Sequence, residues 1–167
     1  MVKVVLLHAL PLDGTMWRSV GRDLRHEVVA PNLYQLGSTL EEWAAGVLRL
    51  AGDGPLVVVG NSVGGSCAIE VARLAPAAVR HLVLIGAKPS HRPEPGYRDA
   101  AVRLLETEGM EAAWPVYWQP LLGPAAPPAV SEAVRQIAHA QRAEDVIREV
   151  CAGLTALCVA VAAEPSA

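Results

Sequence analysis

The chain has 167 residues, 52% of them hydrophobic, and a formal net charge of −3. This length suits one globular domain, and the interspersed charges form no basic stripe, so we expect no nucleic-acid partner and no membrane partner. The N-terminal apolar run is too short for a signal peptide. Three cysteines, an odd number without metal-site spacing, disfavour a disulfide framework and a metal site. We therefore expect a cytoplasmic protein with reduced thiols, no metal and no cofactor.

Strand patterns and helix patterns alternate through the first half of the chain. The sequence predicts buried strands at 2–7, 28–30, 56–60 and 81–86. Amphipathic helices are predicted between them, and Ser38 with Glu41 forms a capping-box pattern at the start of one. Strands that alternate with helices indicate an α/β fold, with a parallel sheet of about four strands flanked by helices.

From residue 88 onward the pattern becomes helical. A proline-rich loop leads to predicted helices at 97–108, 110–118 and 128–150, and no further strand is evident. We interpret these helices as a cap over the carboxyl edge of the sheet. The chain then divides into an α/β core with a nucleophile elbow (1–88), a helical cap (89–150), and an apolar segment and tail of uncertain structure (151–167).

The most informative motif is Gly60-Asn61-Ser62-Val63-Gly64, between a predicted strand and a predicted helix. A nucleophilic serine must be raised clear of the backbone at a tight turn, and glycines two residues to either side let strand and helix pass without Cβ collisions. Ser62 would lie at the helix N-terminus, where free N–H groups favour developing negative charge. The N–H group of Val63 is the natural first oxyanion donor.

Together with this elbow, the segment from His8 to Trp17 and the strand ending at 84–87 resemble the α/β-hydrolase superfamily, in particular its small bacterial esterases and lactonases. The resemblance extends through the cap at 109–147. It implies a serine hydrolase fold in which Ser62 attacks a small-molecule ester, lactone or similar acyl substrate. It also implies that Leu10 supplies the second oxyanion N–H group and that His8 organises this loop. Ala9 stands where the family usually has glycine, and its Cβ can restrict the turn that aims the Leu10 N–H group.

The family also carries an acid and then a histidine after the serine, on loops that follow later strands. Beyond residue 150 the sequence does not continue that pattern, so we expect a partial α/β-hydrolase fold that lacks the C-terminal part, with low activity. The strand at 81–86 would then form a bare sheet edge. Among the histidines only His91 and His139 are placed to substitute for the missing base, and Glu94 and Asp99 are nearby acids. Each is more typical of a solvated residue.

Three interpretations remain open at this point. The first is a serine hydrolase, and the second is a non-catalytic binding or assembly protein whose bare edge is covered by a homodimer. The third is a gene truncated or frame-shifted near residue 150. The aromatic residues Trp114, Tyr117 and Trp118 have helical spacing in the cap, which favours packing over a substrate wall. If the cap does line a pocket, a small apolar acyl group is expected there.

Overall fold

The computed structural model describes residues 1–87 and 95–148. It contains one sheet with four strands, namely β1 (Lys3–Leu7), β2 (Glu27–Val29), β3 (Leu56–Asn61) and β4 (Val79–Ile85). The strand order is β2-β1-β3-β4, and every pairing is parallel. The predicted parallel sheet of about four strands is therefore confirmed.

Helices follow and flank these strands: α1 (Arg18–Asp23), α2 (Leu40–Ala51), α3 (Val63–Leu74), α4 (Pro95–Tyr117) and α5 (Pro128–His139). Short 3-10 turns lie at Gly14–Trp17, Leu33–Gln35 and Gln119–Leu121. Within the described ranges, none of the helices is both long enough and apolar enough to cross a membrane.

The start of α2 differs by one residue from the predicted capping box. The Thr39 hydroxyl accepts a hydrogen bond from the N–H group of Glu42, and the Glu42 carboxylate accepts one from the N–H group of Thr39. The same carboxylate also accepts the N–H group of Ser38. Two adjacent capping residues, each followed three residues later by a glutamate, offer two registers, and the later register forms.

One of the three predicted cap helices differs from its predicted bounds. The first two are confirmed, because they lie in α4 on either side of a break at Gly109, where φ is 77°. The third ends at His139 instead of reaching residue 150, and residues 143–148 become helical again after a turn. That turn brings Gln141 to the loop after β1, a long-range contact that helical periodicity does not reveal. Residues 149 and 150 lie outside the described ranges.

The two faces of the sheet are covered unequally. On one face α2 and α3 bury an apolar cluster that includes Leu7, Val58 and Trp43. On the other face Trp17 covers Val4 and Leu6. A parallel strand usually has both faces covered, yet β4 keeps between 39% and 44% of the surface of each of its last four residues exposed (Leu82, Val83, Leu84 and Ile85). In the described part of the chain β4 is thus an exposed edge, and the homodimer that would cover it stays a prediction.

The cap helices lie over the loop that follows β1. Leu10 packs against a cluster that contains Leu105 and Met110, and Leu12 packs with Trp114 and Ala138. The loop after β1 is consequently held between the sheet and the cap. This is the predicted helical cap at the carboxyl edge, although the residue bounds of the three predicted domains stay predictions.

Candidate active site

Ser62 occupies the turn between β3 and α3 in a strained conformation. Its φ is 54° and its ψ is −119°, and it is the one non-glycine residue with positive φ in the described ranges. Its N–H group donates to the carbonyl of Ile85 at 2.9 Å, while its own carbonyl accepts the N–H group of Gly65 at 2.9 Å. Ser62 itself is exposed, whereas the residues that directly follow it in α3 are buried. The turn therefore raises the serine out of the backbone and fixes it from both flanks.

The glycines of the motif are required by close backbone contacts. A Cβ on Gly60 would lie 2.3 Å from the carbonyl oxygen of Gly64, and one on Gly64 would lie 2.5 Å from the carbonyl oxygen of Leu7. A Cβ on Gly65 would lie 2.3 Å from that of Ala87. Such distances are too short for any side chain. The spacing of the motif thus follows from the way α3 crosses the ends of β1, β3 and β4.

The N–H group of Val63 precedes the hydrogen-bonded part of α3. The first N–H groups that bond back to the Ser62 carbonyl are those of Gly65 and Ser66. The first N–H groups of a helix have no partner within it and carry partial positive charge. The N–H group of Val63 thus belongs to the first turn of α3, directly after Ser62, and its role as an oxyanion donor stays a prediction.

Leu10, the second predicted donor, lies in the loop after β1. Leu10 and Ser62 line the same cavity, so the structure brings the two predicted site residues together. Ala9, the departure from the family pattern, does not have positive φ. The N–H group of Leu12 donates to the carbonyl of Ala9 at 2.8 Å. The loop therefore closes in a turn that an alanine adopts without backbone strain.

His8 is buried beneath this loop. Its Nε2 accepts the N–H group of Leu33 at 2.9 Å, and its Nδ1 lies 3.1 Å from the carbonyl of Ala9, to which it donates. Burial lowers the pKa of His8 to about 4, although the Ala9 carbonyl and the Asp13 charge oppose the shift. The ring is therefore neutral near pH 7, and both nitrogens bind backbone groups. These contacts suit the predicted organising role, which stays a prediction.

Asp13 fastens the same loop to its surroundings. One carboxylate oxygen accepts the N–H and hydroxyl groups of Thr15, and the other accepts the side-chain amide of Gln141 at 2.8 Å. Partial burial opposes ionisation, but these hydrogen bonds outweigh it and hold the pKa of Asp13 below its usual value. Since Gln141 follows α5, this carboxylate joins the loop to the cap.

A cavity of about 190 Å³ opens at Ser62. Its polar side chains belong to Asn61 and Ser62, and its remaining wall is apolar: Ala9, Leu10, Pro11, Leu12, Trp114, Trp118, Leu121, Leu122 and Val134. Of the two roles weighed for the cap aromatics, packing and a substrate wall, Trp114 and Trp118 have the first in a core cluster and also form part of this cavity wall.

The histidines and acids that were considered as partners of Ser62 lie elsewhere. No histidine or carboxylate in the described ranges lines the cavity at Ser62. His139 binds Glu111 at 2.9 Å and contacts Trp114 on the cap. Asp99 is exposed and paired with Arg98. His91 and Glu94 lie outside the described residues.

The other histidines and the cysteines lie away from the cavity at Ser62 or outside the described residues. His26 and His81 are exposed. Cys67 is a buried free thiol whose pKa is raised by burial, and Cys151 and Cys158 lie outside the described residues. Among the residues that the structure describes, no group of three or more histidine, cysteine or acidic side chains is arranged to hold a metal ion.

Several wall residues were missed by sequence reasoning, namely Asn61, Leu121, Leu122 and Val134. Asn61 directly precedes the serine in the elbow motif, so the sequence could have predicted that it lines the cavity. The other three come from the cap, and only the packing of the cap onto the loop after β1 brings them to Ser62.

Comparison with known proteins agrees with the fold. The family model described as alpha/beta hydrolase fold matches residues 3–107. Lipase LipV from Mycobacterium tuberculosis is 33% identical over 96 residues, which cover 50% of this chain and 36% of the lipase. The chain therefore spans well under two thirds of that relative.

Solved structures with similar folds cover more of the chain. A thermophilic esterase from Thermogutta terrifontis has a TM-score of 0.78 and 26% sequence identity, over 95% of this chain and 64% of the esterase. The enol-lactonase from Burkholderia xenovorans LB400 has a TM-score of 0.76 and 17% identity, over 92% of this chain and 64% of the lactonase. The second likeness shows the fold alone.

Proposed function

This chain belongs to the α/β-hydrolase fold family, and we propose that it is a serine hydrolase that acts on an ester, lactone or similar acyl substrate. The observation that carries the proposal is the strained, exposed Ser62 at the N-terminus of α3, facing an apolar cavity. Backbone strain of this kind costs about 1–3 kcal/mol and is kept where the surrounding structure enforces it, often at active sites. The similar lipase and esterase support the same reaction class.

In the proposed reaction Ser62 is the nucleophile. The Ser62 oxygen attacks the substrate carbonyl carbon, the hydroxyl proton passes to water, since no described histidine or carboxylate lines the cavity, and the carbonyl electron pair moves onto oxygen. The N–H groups of Val63 and Leu10 would bind that oxyanion. When this tetrahedral intermediate collapses, the alkoxide leaves and takes up a proton, and an acyl-enzyme remains on Ser62. Water then hydrolyses the acyl-enzyme and releases the acid. The apolar wall of the cavity suits a small apolar acyl group.

Serine-directed labelling tests the proposal most directly. Purified protein is treated with a fluorophosphonate probe and, separately, with p-nitrophenyl butyrate. We expect the probe to form a covalent adduct on Ser62, detected by intact mass and peptide mapping. Slow ester turnover is expected, because no described histidine lines the cavity and loss of a general base costs several orders of magnitude.

Two variants make the test specific. Ser62→Ala should abolish both labelling and turnover, whereas Ser38→Ala, which alters an exposed serine ahead of α2, should leave both unchanged. If wild-type protein fails to label, or if Ser62→Ala labels as fast as wild type, Ser62 is not the nucleophile and the proposal is wrong.

A further inference from the structure

A second cavity of about 410 Å³ adjoins the one at Ser62. Trp114 and Leu122 line both cavities, so these two side chains form the wall that they share. The second cavity lies between the turn after α4 and the first half of α5. Its size is within the usual range for small-molecule sites, about 300–1,000 Å³.

The lining of the second cavity is much more polar than that of the first. Gln119, Ser131, Glu132 and Arg135 contribute polar side chains to it. Within the described ranges the side chains of Gln119, which is exposed, and Ser131, which is half-buried, make no hydrogen bond to another protein group, so a ligand can bind them in place of water. A bound group with hydroxyl or amide functions would satisfy them.

The two charged side chains that line this cavity, Glu132 and Arg135, are paired with each other. Arg135 donates two hydrogen bonds of 3.0 Å to the two carboxylate oxygens of Glu132, and its guanidinium also lies 3.9 Å from Glu111. A paired guanidinium and carboxylate leave little attraction for an ion of either sign. The cavity therefore favours a neutral ligand group.

The chemistry at Ser62 determines which part of a substrate reaches this cavity. An ester carbonyl has two substituents, the acyl carbon chain and the alkoxy group. If the acyl chain occupies the apolar cavity, the alkoxy group is the one left to extend past Trp114 and Leu122. We propose that the second cavity binds a neutral, hydrogen-bonding alcohol portion of the substrate, such as a polyol. This inference rests on the proposed function for the orientation of the ester.

Two esters with the same carbon skeleton test it. Glyceryl 1-monobutyrate and propyl butyrate differ by two hydroxyl groups. Binding is measured with the Ser62→Ala protein, because it lacks the nucleophile and cleaves neither ester. In NMR titrations we expect the glyceryl ester to bind about three- to tenfold more tightly, as one or two hydrogen bonds to neutral groups would give. It should shift the side-chain amide of Gln119 and the backbone amide of Ser131. Both esters should shift the indole signal of Trp118 in the first cavity.

Variants in the same background locate the effect. Gln119→Leu combined with Ser131→Ala should reduce the preference for the glyceryl ester to less than about twofold. Arg103→Met, which changes an exposed arginine of α4 outside the cavity, should preserve it. Folding of each variant is checked by its amide spectrum.

The outcomes separate the two proposals. Equal affinity for the two esters, or shifts that never reach Gln119 and Ser131, would overturn the inference. Absence of fluorophosphonate labelling together with a retained preference for the glyceryl ester would reject the hydrolase function but keep the second cavity as a polyol site.

Discussion

The elbow and the cap hold their parts of the site in opposite ways. At the elbow, backbone lies against backbone, and three glycines permit distances that no Cβ tolerates. In the cap, large side chains such as Trp114 fill the space between helices, and a Cβ added to Gly123 would meet no atom within 4 Å. The position of the nucleophile is therefore set by close backbone contacts between α3 and the strand ends, whereas the shape of the cavity is set by the packing of large side chains.

The largest expected effect is the difference in stability between an alanine at an elbow glycine and an alanine at a cap glycine. Gly64→Ala places a Cβ 2.5 Å from the Leu7 carbonyl oxygen, so we expect the free energy of unfolding to fall by about 3 kcal/mol or more. Gly123→Ala meets nothing within 4 Å and should change it by less than about 1 kcal/mol. Urea denaturation measures both, and similar losses in the two variants would contradict the distinction.

The next effect concerns His8, the neutral histidine beneath the loop that follows β1. Burial lowers the pKa of His8 to about 4 from 6.5, so between these values the unfolded chain binds more protons than the folded one. Its contribution to stability is complete above pH 6.5 and is lost as the pH falls towards 4. We expect this loss to amount to about 2–3 kcal/mol by pH 4.5.

Denaturation curves at several pH values, with two variants, isolate this contribution. His8→Gln should flatten the pH dependence between pH 7 and pH 4.5, while the exposed His26→Gln should keep it. An unchanged pH dependence in His8→Gln would show that other groups, Asp13 among them, account for the acid sensitivity.

A smaller effect is expected where the two regions are joined. Gln141→Leu removes the 2.8 Å hydrogen bond from the cap to Asp13, and we expect a loss of about 1 kcal/mol in unfolding free energy. Gln136→Leu removes an exposed hydrogen bond to Glu132 within α5 and should cost less than about 0.5 kcal/mol. Equal values for the two variants would mean that the contact does not couple the loop to the cap.

The smallest change in folding stability is expected at the exposed edge. Val83→Lys on β4 and Val130→Lys on α5 both alter half-exposed valines and should each cost less than about 1 kcal/mol. The predicted homodimer distinguishes them, because only the β4 variant should convert a dimer to a monomer in sedimentation velocity. Wild-type protein that sediments as a monomer would refute the homodimer.

The sequence was sufficient for the parts of the molecule that depend on local rules. The alternation of strands and helices predicted the parallel sheet, and the placement of Gly60 and Gly64 about Ser62 predicted the turn that the structure contains. The cap wall was not predictable in this way. Leu121, Leu122 and Val134 line the cavity where the cap lies over the loop after β1, and a hydrogen bond between Gln141 and Asp13, 128 positions apart, joins the cap to that loop.

The hydrogen bond from Ser62 to Ile85 has a consequence for protein engineering. Because the serine is oriented by β4 as well as by its own strand and helix, the elbow cannot be transferred to another protein by itself. Gly64 fits against the end of β1, and Gly65 fits against Ala87 just beyond β4. A graft of the five-residue motif into another strand–helix unit would preserve its sequence but not its backbone conformation. The smallest transferable unit is the three adjacent strands β1, β3 and β4 together with α3.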